Sequence, residues 1–194
     1  MGSREAGFER WESRYRSASP ATDLEPNPFL VESAPLLGVG GQVLDVAMGD
    51  GRNALYLARL GFHVTGLDRS PTAVSLARER VRREGLELEG VVADLEGYVL
   101  PREAFDGVVV TFYLQRSLFA GIVETLRPGG WLLYQTFTTA ILKYRPFNRA
   151  YLLERGELRE AFEGFDIVTW REEERADEGV ATACLLARKP AVLR

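Results

Sequence analysis

The chain has one cysteine and one histidine in 194 residues. A single thiol, Cys184, cannot close an intrachain disulfide, and together with His63 it cannot complete the four-ligand set of a structural zinc site. A Ser-His-Asp triad would have to use His63, which sits early in an apolar, strand-like stretch and reads as structural. Lysine is almost missing: Lys143 and Lys189 stand alone among arginines. No apolar run approaches the roughly 20 residues needed to span a bilayer. The opening MGSREAGFERWESRY is charged where a secretion signal would be apolar. Met1-Gly2-Ser3 begins like a myristoylation signal, but Ala6 stands where serine or threonine is wanted. A net charge of -4 gives no general affinity for a phosphate backbone. These absences lead to the expectation of a cytoplasmic protein with no membrane, nucleic-acid or metal partner.

What is present is an alternation of strands and helices. Val43 to Ala47 is a short apolar strand holding one acid, Asp45. Gly49-Asp50-Gly51 is a tight turn, and Arg52 to Leu60 has helical spacing that stops at Gly61. Phe62 to Leu67 is a second strand, ended by Asp68. Ser70-Pro71 caps a second helix to about Glu84, and Glu87 to Ala93 is a third strand closing on Asp94. Phe105 to Phe112 is almost wholly apolar, as a central parallel strand is. Leu118 to Leu126 is a helix broken by Arg127-Pro128-Gly129-Gly130, and Trp131 to Phe137 is a fifth strand. Thr138 to Gly156 reads as an insertion, and Glu157 to Phe162 as a brief helix. Phe165 to Arg171 and Val180 to Arg188 read as a hairpin joined by an acidic turn. Ahead of this pattern, Glu5 to Arg16 is a helix with Phe8, Trp11 and Tyr15 on one face. Ser17 to Glu25 is a loop, and Asn27-Pro28 caps a helix to about Leu37. The whole is one α/β domain, a doubly wound, mostly parallel sheet with one antiparallel strand.

Ligands of such sheets sit at the carboxyl ends of the strands. Four features fall there. The turn Ala47 to Gly51 lets backbone approach a ligand, at an electropositive helix N-terminus. Asp68 is placed to accept hydrogen bonds from ribose hydroxyls, and Asp94 to meet an adenine amino group. Thr111-Phe112-Tyr113 ends the fourth strand beneath the sugar. Two nucleotide classes compete for this pattern. Gly49-x-Gly51-x-x-Ala54 satisfies the dinucleotide fingerprint, which would make the chain a short-chain NAD oxidoreductase. Against that reading, no Ser-Tyr-Lys or Cys/His catalytic set is visible.

Asp45, the glycine turn, Asp68, Ala93-Asp94-Leu95 and LRPGG at Leu126 to Gly130 together resemble the class I S-adenosylmethionine (SAM)-dependent methyltransferases. The likeness runs from about Gly40 onward. Trp11-Glu12-Ser13-Arg14-Tyr15, Asn27-Pro28-Phe29-Leu30 and GDGRNALYLARLG narrow it to the TehB-like tellurite-resistance methyltransferases of bacteria. The resemblance implies a Rossmann-like seven-stranded sheet in the order 3-2-1-4-5-7-6, with strand 7 antiparallel. It implies a lid segment (1–38), a SAM-binding core (39–138), a substrate-side insertion (139–156) and a C-terminal helix and hairpin (157–194). The cofactor residues would be Tyr15, Asp45, Ala47, Gly49, Gly51, Arg52, Asn53, Asp68, Arg69, Ala93, Asp94, Leu95, Thr111 and Phe112, with S-adenosylhomocysteine (SAH) as product. Arg14, Tyr113 and Arg116 would position a small-molecule substrate, Arg116 joining Arg145 and Arg149 in a cationic pocket. The acceptor would be a chalcogen oxyanion such as tellurite or selenite, or a thiol, on a monomer or homodimer. A SAM-binding module without turnover is the other reading. One departure stands out: the family turn begins with glycine, and here Ala47 adds a methyl group.

Overall fold

The computed structural model describes residues 3–21 and 24–191. Met1-Gly2 and positions 22 and 23 of the Ser17–Glu25 loop lie outside them. Seven strands form a sheet in the order β3-β2-β1-β4-β5-β7-β6, as the resemblance implied. The chain divides into two compact units, Met1–Tyr98 and Val99–Arg194. The boundary falls inside the stretch 39–138 that was expected to act as one core.

The first unit holds helices α1 (Ser3–Arg16) and α2 (Pro28–Ser33), strand β1 (Gln42–Val46), α3 (Arg52–Arg59), β2 (His63–Asp68), α4 (Pro71–Arg82) and β3 (Glu89–Val92). The three strands run parallel, with Asp45 beside Gly66 and Asp68 beside Val92. Helix α2 starts where Asn27 accepts hydrogen bonds from the Phe29 and Leu30 amides, with Pro28 at the first helical position. A single 3-10 turn, Ala34–Leu36, extends it. Helix α4 starts in the same way: Ser70 Oγ accepts from the Ala73 amide at 2.9 Å, and Pro71 follows. Its inner face buries Ala73, Val74, Ala77 and Val81 against the strands.

The turn after β1 depends on glycine at two positions. Gly51 has φ of 84°, and a Cβ there would meet the Ala77 Cβ at 2.6 Å. Gly49 has φ of 59°, and a Cβ there would meet the Tyr15 hydroxyl at 2.8 Å. Ala47 shares the left-handed backbone, at φ of 56°, without glycine's freedom. Met48 is buried against Val74 and Ala77. Its sulfur fills the space that a side chain at Gly66 would need.

The second unit holds β4 (Phe105–Thr111), α5 (Phe119–Thr125), β5 (Leu126–Phe137), α6 (Glu157–Ala161), β6 (Asp166–Arg175) and β7 (Val180–Arg188). β4 and β5 pair parallel, while β7 runs antiparallel to both β5 and β6. Two sequence expectations need correction. Arg127-Pro128-Gly129-Gly130 does not stand apart from the fifth strand: Leu126 already pairs with Phe105. The Gly129 amide donates to the Lys189 carbonyl at 2.9 Å, and the Lys189 amide to the Gly130 carbonyl at 2.8 Å. Nor do Glu172, Glu173 and Glu174 form a turn. They belong to β6, opposite Ala183, Thr182 and Ala181. Lys189 also donates its ammonium to the Val123 and Leu126 carbonyls at 2.8 and 2.6 Å, satisfying the carboxyl end of α5.

Because Met48 occupies the place of a residue-66 side chain, Gly66→Ala is expected to destabilise the fold by about 1–3 kcal/mol. Adding Met48→Cys should recover part of that loss. Urea denaturation of the two single variants and the double variant reads the coupling directly.

Candidate functional site

In the first unit the carboxyl ends of β1 and β2 meet the glycine turn. Asp68 spans two segments: its Oδ2 accepts from the Gly49 amide and its Oδ1 from the Ser70 amide, both at 2.8 Å. One carboxylate thus fixes the turn after β1 and the entry to α4. Burial pushes its pKa upward, and the two amide bonds work against that shift. Asp45 lies deeper. It is 1% exposed, and neither carboxylate oxygen has a hydrogen bond of normal geometry. Burial pushes its carboxyl up to about 8, offset in part by the Arg52 guanidinium and the Ala54 amide. Asp94 is open at the end of β3, with Arg69 Nε 3.9 Å from its carboxylate. Ala93 and Leu95 on either side are buried, and the Ala93 amide donates to the Asp68 carbonyl at 2.9 Å.

Helix α1 lies on this end of the unit. The Tyr15 hydroxyl approaches Gly49, and burial raises its pKa. The stripe that docks is not the one expected. Trp11 is 45% exposed, stacked on Tyr15 at 5.9 Å and covered by the Arg14 guanidinium at 5.1 Å. Glu12 is buried instead, accepting from Ser70 Oγ and Thr72 Oγ1, each at 2.5 Å. Phe8, under the Arg69 guanidinium at 4.7 Å, completes the inner face. Residues 8, 12 and 15 and residues 8, 11 and 15 are both spaced as a helix face, and the Ser70 and Thr72 hydroxyls decide for Glu12. An acid within an aromatic face was the available signal, and the aromatic residues drew the reading to Trp11.

Two further residues brace the turn without having been anticipated. Arg80, 5% exposed on α4, donates to the Asp50 carbonyl at 3.1 Å and sits 3.6 Å from the Asp50 carboxylate. Asn27, at the start of α2, donates its amide to Asn53 Oδ1 at 2.9 Å. Asn53 is buried, so its side-chain oxygen serves the scaffold and not an open ligand surface.

In the second unit the expected cationic pocket is not assembled. Arg116 forms a bidentate pair with Glu157, at 2.5 and 2.8 Å, and donates to the Ala150 and Leu152 carbonyls at 3.2 and 2.9 Å. It ties the insertion to α6. Arg149 pairs with Glu154 at 2.7 Å. Tyr113 donates its hydroxyl to Gln115 Oε1 at 2.5 Å, and its carbonyl accepts from the buried Tyr134 hydroxyl at 2.9 Å. Thr111 ends β4 opposite Gln135. Phe112 follows with φ of 55° and is 40% exposed. Cys184 is buried in β7, where Gln135 Nε2 lies 3.1 Å from its sulfur. Among the described residues no cluster of histidine, cysteine and carboxylates could hold a metal. No helix there is long and apolar enough to cross a membrane.

The methyltransferase-domain family pattern matches residues 43–130. TehB from Haemophilus influenzae is 25% identical over 164 residues, 76% of this chain and 57% of that protein. Its crystal structure matches with a TM-score of 0.74 at 22% identity, covering 92% of this chain and 67% of that one. The fold is that of the class I SAM-dependent methyltransferases. A demethylmenaquinone methyltransferase from Tropheryma whipplei is 33% identical over 125 residues, 60% of this chain and 51% of that protein. The chain therefore spans about half the length of the curated relatives it matches. A structure solved for the conversion of a disulfide bond into a thioacetal group during echinomycin biosynthesis matches with a TM-score of 0.70 at 26% identity. That match covers 94% of this chain and 92% of the other.

The residues at these strand ends fit SAM on physical grounds. A buried carboxylate without hydrogen bonds suits a cationic amino group. A turn whose left-handed positions lack side chains at Gly49 and Gly51 lets backbone approach a ligand.

Asp45 ionises less readily in the folded protein than its ordinary value of 3.8. The unfolded chain therefore releases this proton first, and the cost to stability grows as pH rises from about 4 and levels off above about 8. Asp45→Asn is expected to raise the melting temperature in scanning calorimetry. The gain should be small near pH 5 and reach a few kcal/mol near pH 8, at about 1.4 kcal/mol per unit.

The Glu12 carboxyl is held below its usual range by the two hydroxyl bonds, so docking of α1 strengthens above the unfolded value and weakens in acid. Glu12→Ala should increase tryptic cleavage within α1 by ~tenfold, from the loss of two charge-assisted bonds. The urea midpoint of the remainder should stay where it is.

Proposed function

We propose that this chain binds SAM at the carboxyl ends of β1, β2 and β3 and transfers its methyl group to a small-molecule acceptor. The observation that carries the reading is Asp45: a buried carboxylate without hydrogen bonds, beside a turn held by Asp68. In this assignment Asp45 receives the cationic amino group of the cofactor. The amides at the start of α3 face its carboxylate, and the lone pairs of Asp68 left by the Gly49 and Ser70 amides receive ribose hydroxyls. Asp94, between the buried Ala93 and Leu95, takes the adenine amino group. Tyr15, held by Glu12, covers the turn as part of a lid. Ala47, Arg52 and Arg69 border the same surface.

SAM supplies an electrophilic methyl group on a positive sulfur. The protein's share is alignment, worth roughly 7–11 kcal/mol of the barrier when two reactants are fixed in order. An acceptor that arrives ionised, or with a free lone pair, needs no general base, and none of the assigned residues is placed as one. Tyr113 and Arg14 remain the candidates for positioning the acceptor. A soft or anionic nucleophile such as a thiol, selenite or tellurite is the reading from the TehB likeness. The ion pairs of Arg116 and Arg149 weaken its oxyanion branch. The structure from echinomycin biosynthesis, which concerns sulfur chemistry, supports its thiol branch. The Tropheryma whipplei relative is named instead for demethylmenaquinone.

Titration calorimetry with SAM, SAH and NAD separates the readings. SAM and SAH are expected to bind, and NAD is not. Asp68→Ala should weaken SAM by about 10- to 100-fold, the equivalent of roughly 1.4–2.7 kcal/mol. Binding of NAD without SAM would restore the dinucleotide reading. SAM binding with no methyl transfer to any acceptor would leave a cofactor-binding module.

A further inference from the structure

At the carboxyl ends of β4 and β5 the second unit exposes aromatic rings where the sequence led one to expect a cluster of arginines. Phe112 and Phe137 have ring centroids 5.0 Å apart, and Phe137 and Phe147 5.4 Å apart. Phe112 is 40% and Phe147 37% exposed. The Arg145 guanidinium lies over this row, 5.4 Å from the Phe137 ring and 6.0 Å from the Phe147 ring. Of the three arginines once grouped together, Arg116 and Arg149 are held by Glu157 and Glu154. None of the ion pairs among the described residues involves Arg145.

The backbone singles out the same place. Phe112 is a bulky residue at φ of 55°, held there by its amide's 2.7 Å hydrogen bond to the Gln135 carbonyl. Such a conformation is an outlier for an aromatic residue and persists where the surroundings impose it, most often at functional sites. A relaxed backbone would turn the ring elsewhere; here it remains against Phe137 and half open to solvent. Exposed rings in a row, with a guanidinium that has no carboxylate partner, make a surface complementary to a flat, negatively charged molecule. The rings offer stacking faces, and Arg145 offers both a plane and a charge.

We propose that Phe112, Phe137, Phe147 and Arg145 form the acceptor platform, and that the acceptor is a small planar aromatic molecule bearing an ionised oxygen or sulfur. The proposal rests on the methyltransferase reading above and narrows its acceptor. It reassigns Phe112 from the cofactor to the acceptor. In the reaction the ionised atom of the acceptor forms the new bond to the methyl carbon. The bond from that carbon to the cofactor's sulfur breaks, and its electron pair stays on sulfur to leave the neutral thioether SAH. The acceptor proton has already gone to solvent, so the chain moves none. Arg145 favours the ionised acceptor by its charge.

The test uses 2-naphthoate as a fluorescent planar anion, titrated into the full chain with and without saturating SAH. Binding to both forms is expected. Arg145→Gln and Phe147→Ala, both at exposed positions, should each weaken it by about tenfold, in line with loss of one desolvated cation–π or stacking contact. The SAH affinity of both variants, measured by calorimetry, should be unchanged. Equal naphthoate binding by native protein and variants, or none at all, overturns the platform while SAH binding still upholds the methyltransferase reading. Displacement of naphthoate by SAH assigns the rings to the cofactor and also overturns it. Loss of SAH binding by the native chain fails the methyltransferase reading, and with it the role as acceptor site. A second arm offers labelled SAM with 3-hydroxy-2-naphthoate, 2-mercaptoethanol, selenite or tellurite. Label in the naphthoate supports the proposal, whereas label only in the others refutes it.

Discussion

The first unit is organised by one carboxylate that takes two backbone amides. Asp68 holds the Gly49 amide with one oxygen and the Ser70 amide with the other. These amides belong to segments 21 residues apart, and each begins the approach to a helix. Fixing them together sets the shape of the turn against the N-cap of α4. Ser70 passes the constraint on, since its hydroxyl is bonded by both the Ala73 amide and Glu12. Helix α1 is in this way anchored two residues beyond the proposed ribose acid. Met48, Gly66 and Arg80 fill and brace the space behind the turn.

Two features near this anchor work against stability and are consistent with a binding role. Asp45 is buried without hydrogen bonds, and Ala47 adopts a left-handed backbone. A fold selected for stability alone would remove both, by an amide at 45 and glycine at 47. Buried charge and local strain of this sort are characteristic of sites whose partner is a ligand. Phe112 in the second unit is of the same kind. Its strained backbone keeps an aromatic ring partly in water, which costs stability unless something stacks upon it.

The arginines show how an ion-pair network can redirect a chemical reading. Arg116, Arg145 and Arg149 look equivalent as residues in a chain, and all are near the carboxyl end of a strand or in the insertion. Glu157 takes Arg116 to join α6 to the insertion, and Glu154 takes Arg149 within the insertion. Arg145 is left on the Phe137 and Phe147 rings. What had been a candidate oxyanion pocket becomes an aromatic surface with one cation.

Much of the fold was legible in the chain because local chemistry and periodicity coincide there. Asn27-Pro28 and Ser70-Pro71 are helix starts in sequence and in space, and apolar runs of five to seven residues are the buried parallel strands. The family likeness supplied the strand order, which spacing alone does not contain. The misreadings came where a partner distant in sequence decides. β5 begins at Leu126 because Phe105 and Lys189 pair with that end, although Pro128 and two glycines argue for a break. Glu172 to Glu174 extend β6 because β7 supplies a partner strand. Composition and motif alone determined that this is an α/β nucleotide-type fold with acids at its strand ends. Only the tertiary structure decided which side chains remain available there. Each carboxylate and guanidinium bonds to whatever folding brings within about 3 Å, and a linear sequence does not carry that distance.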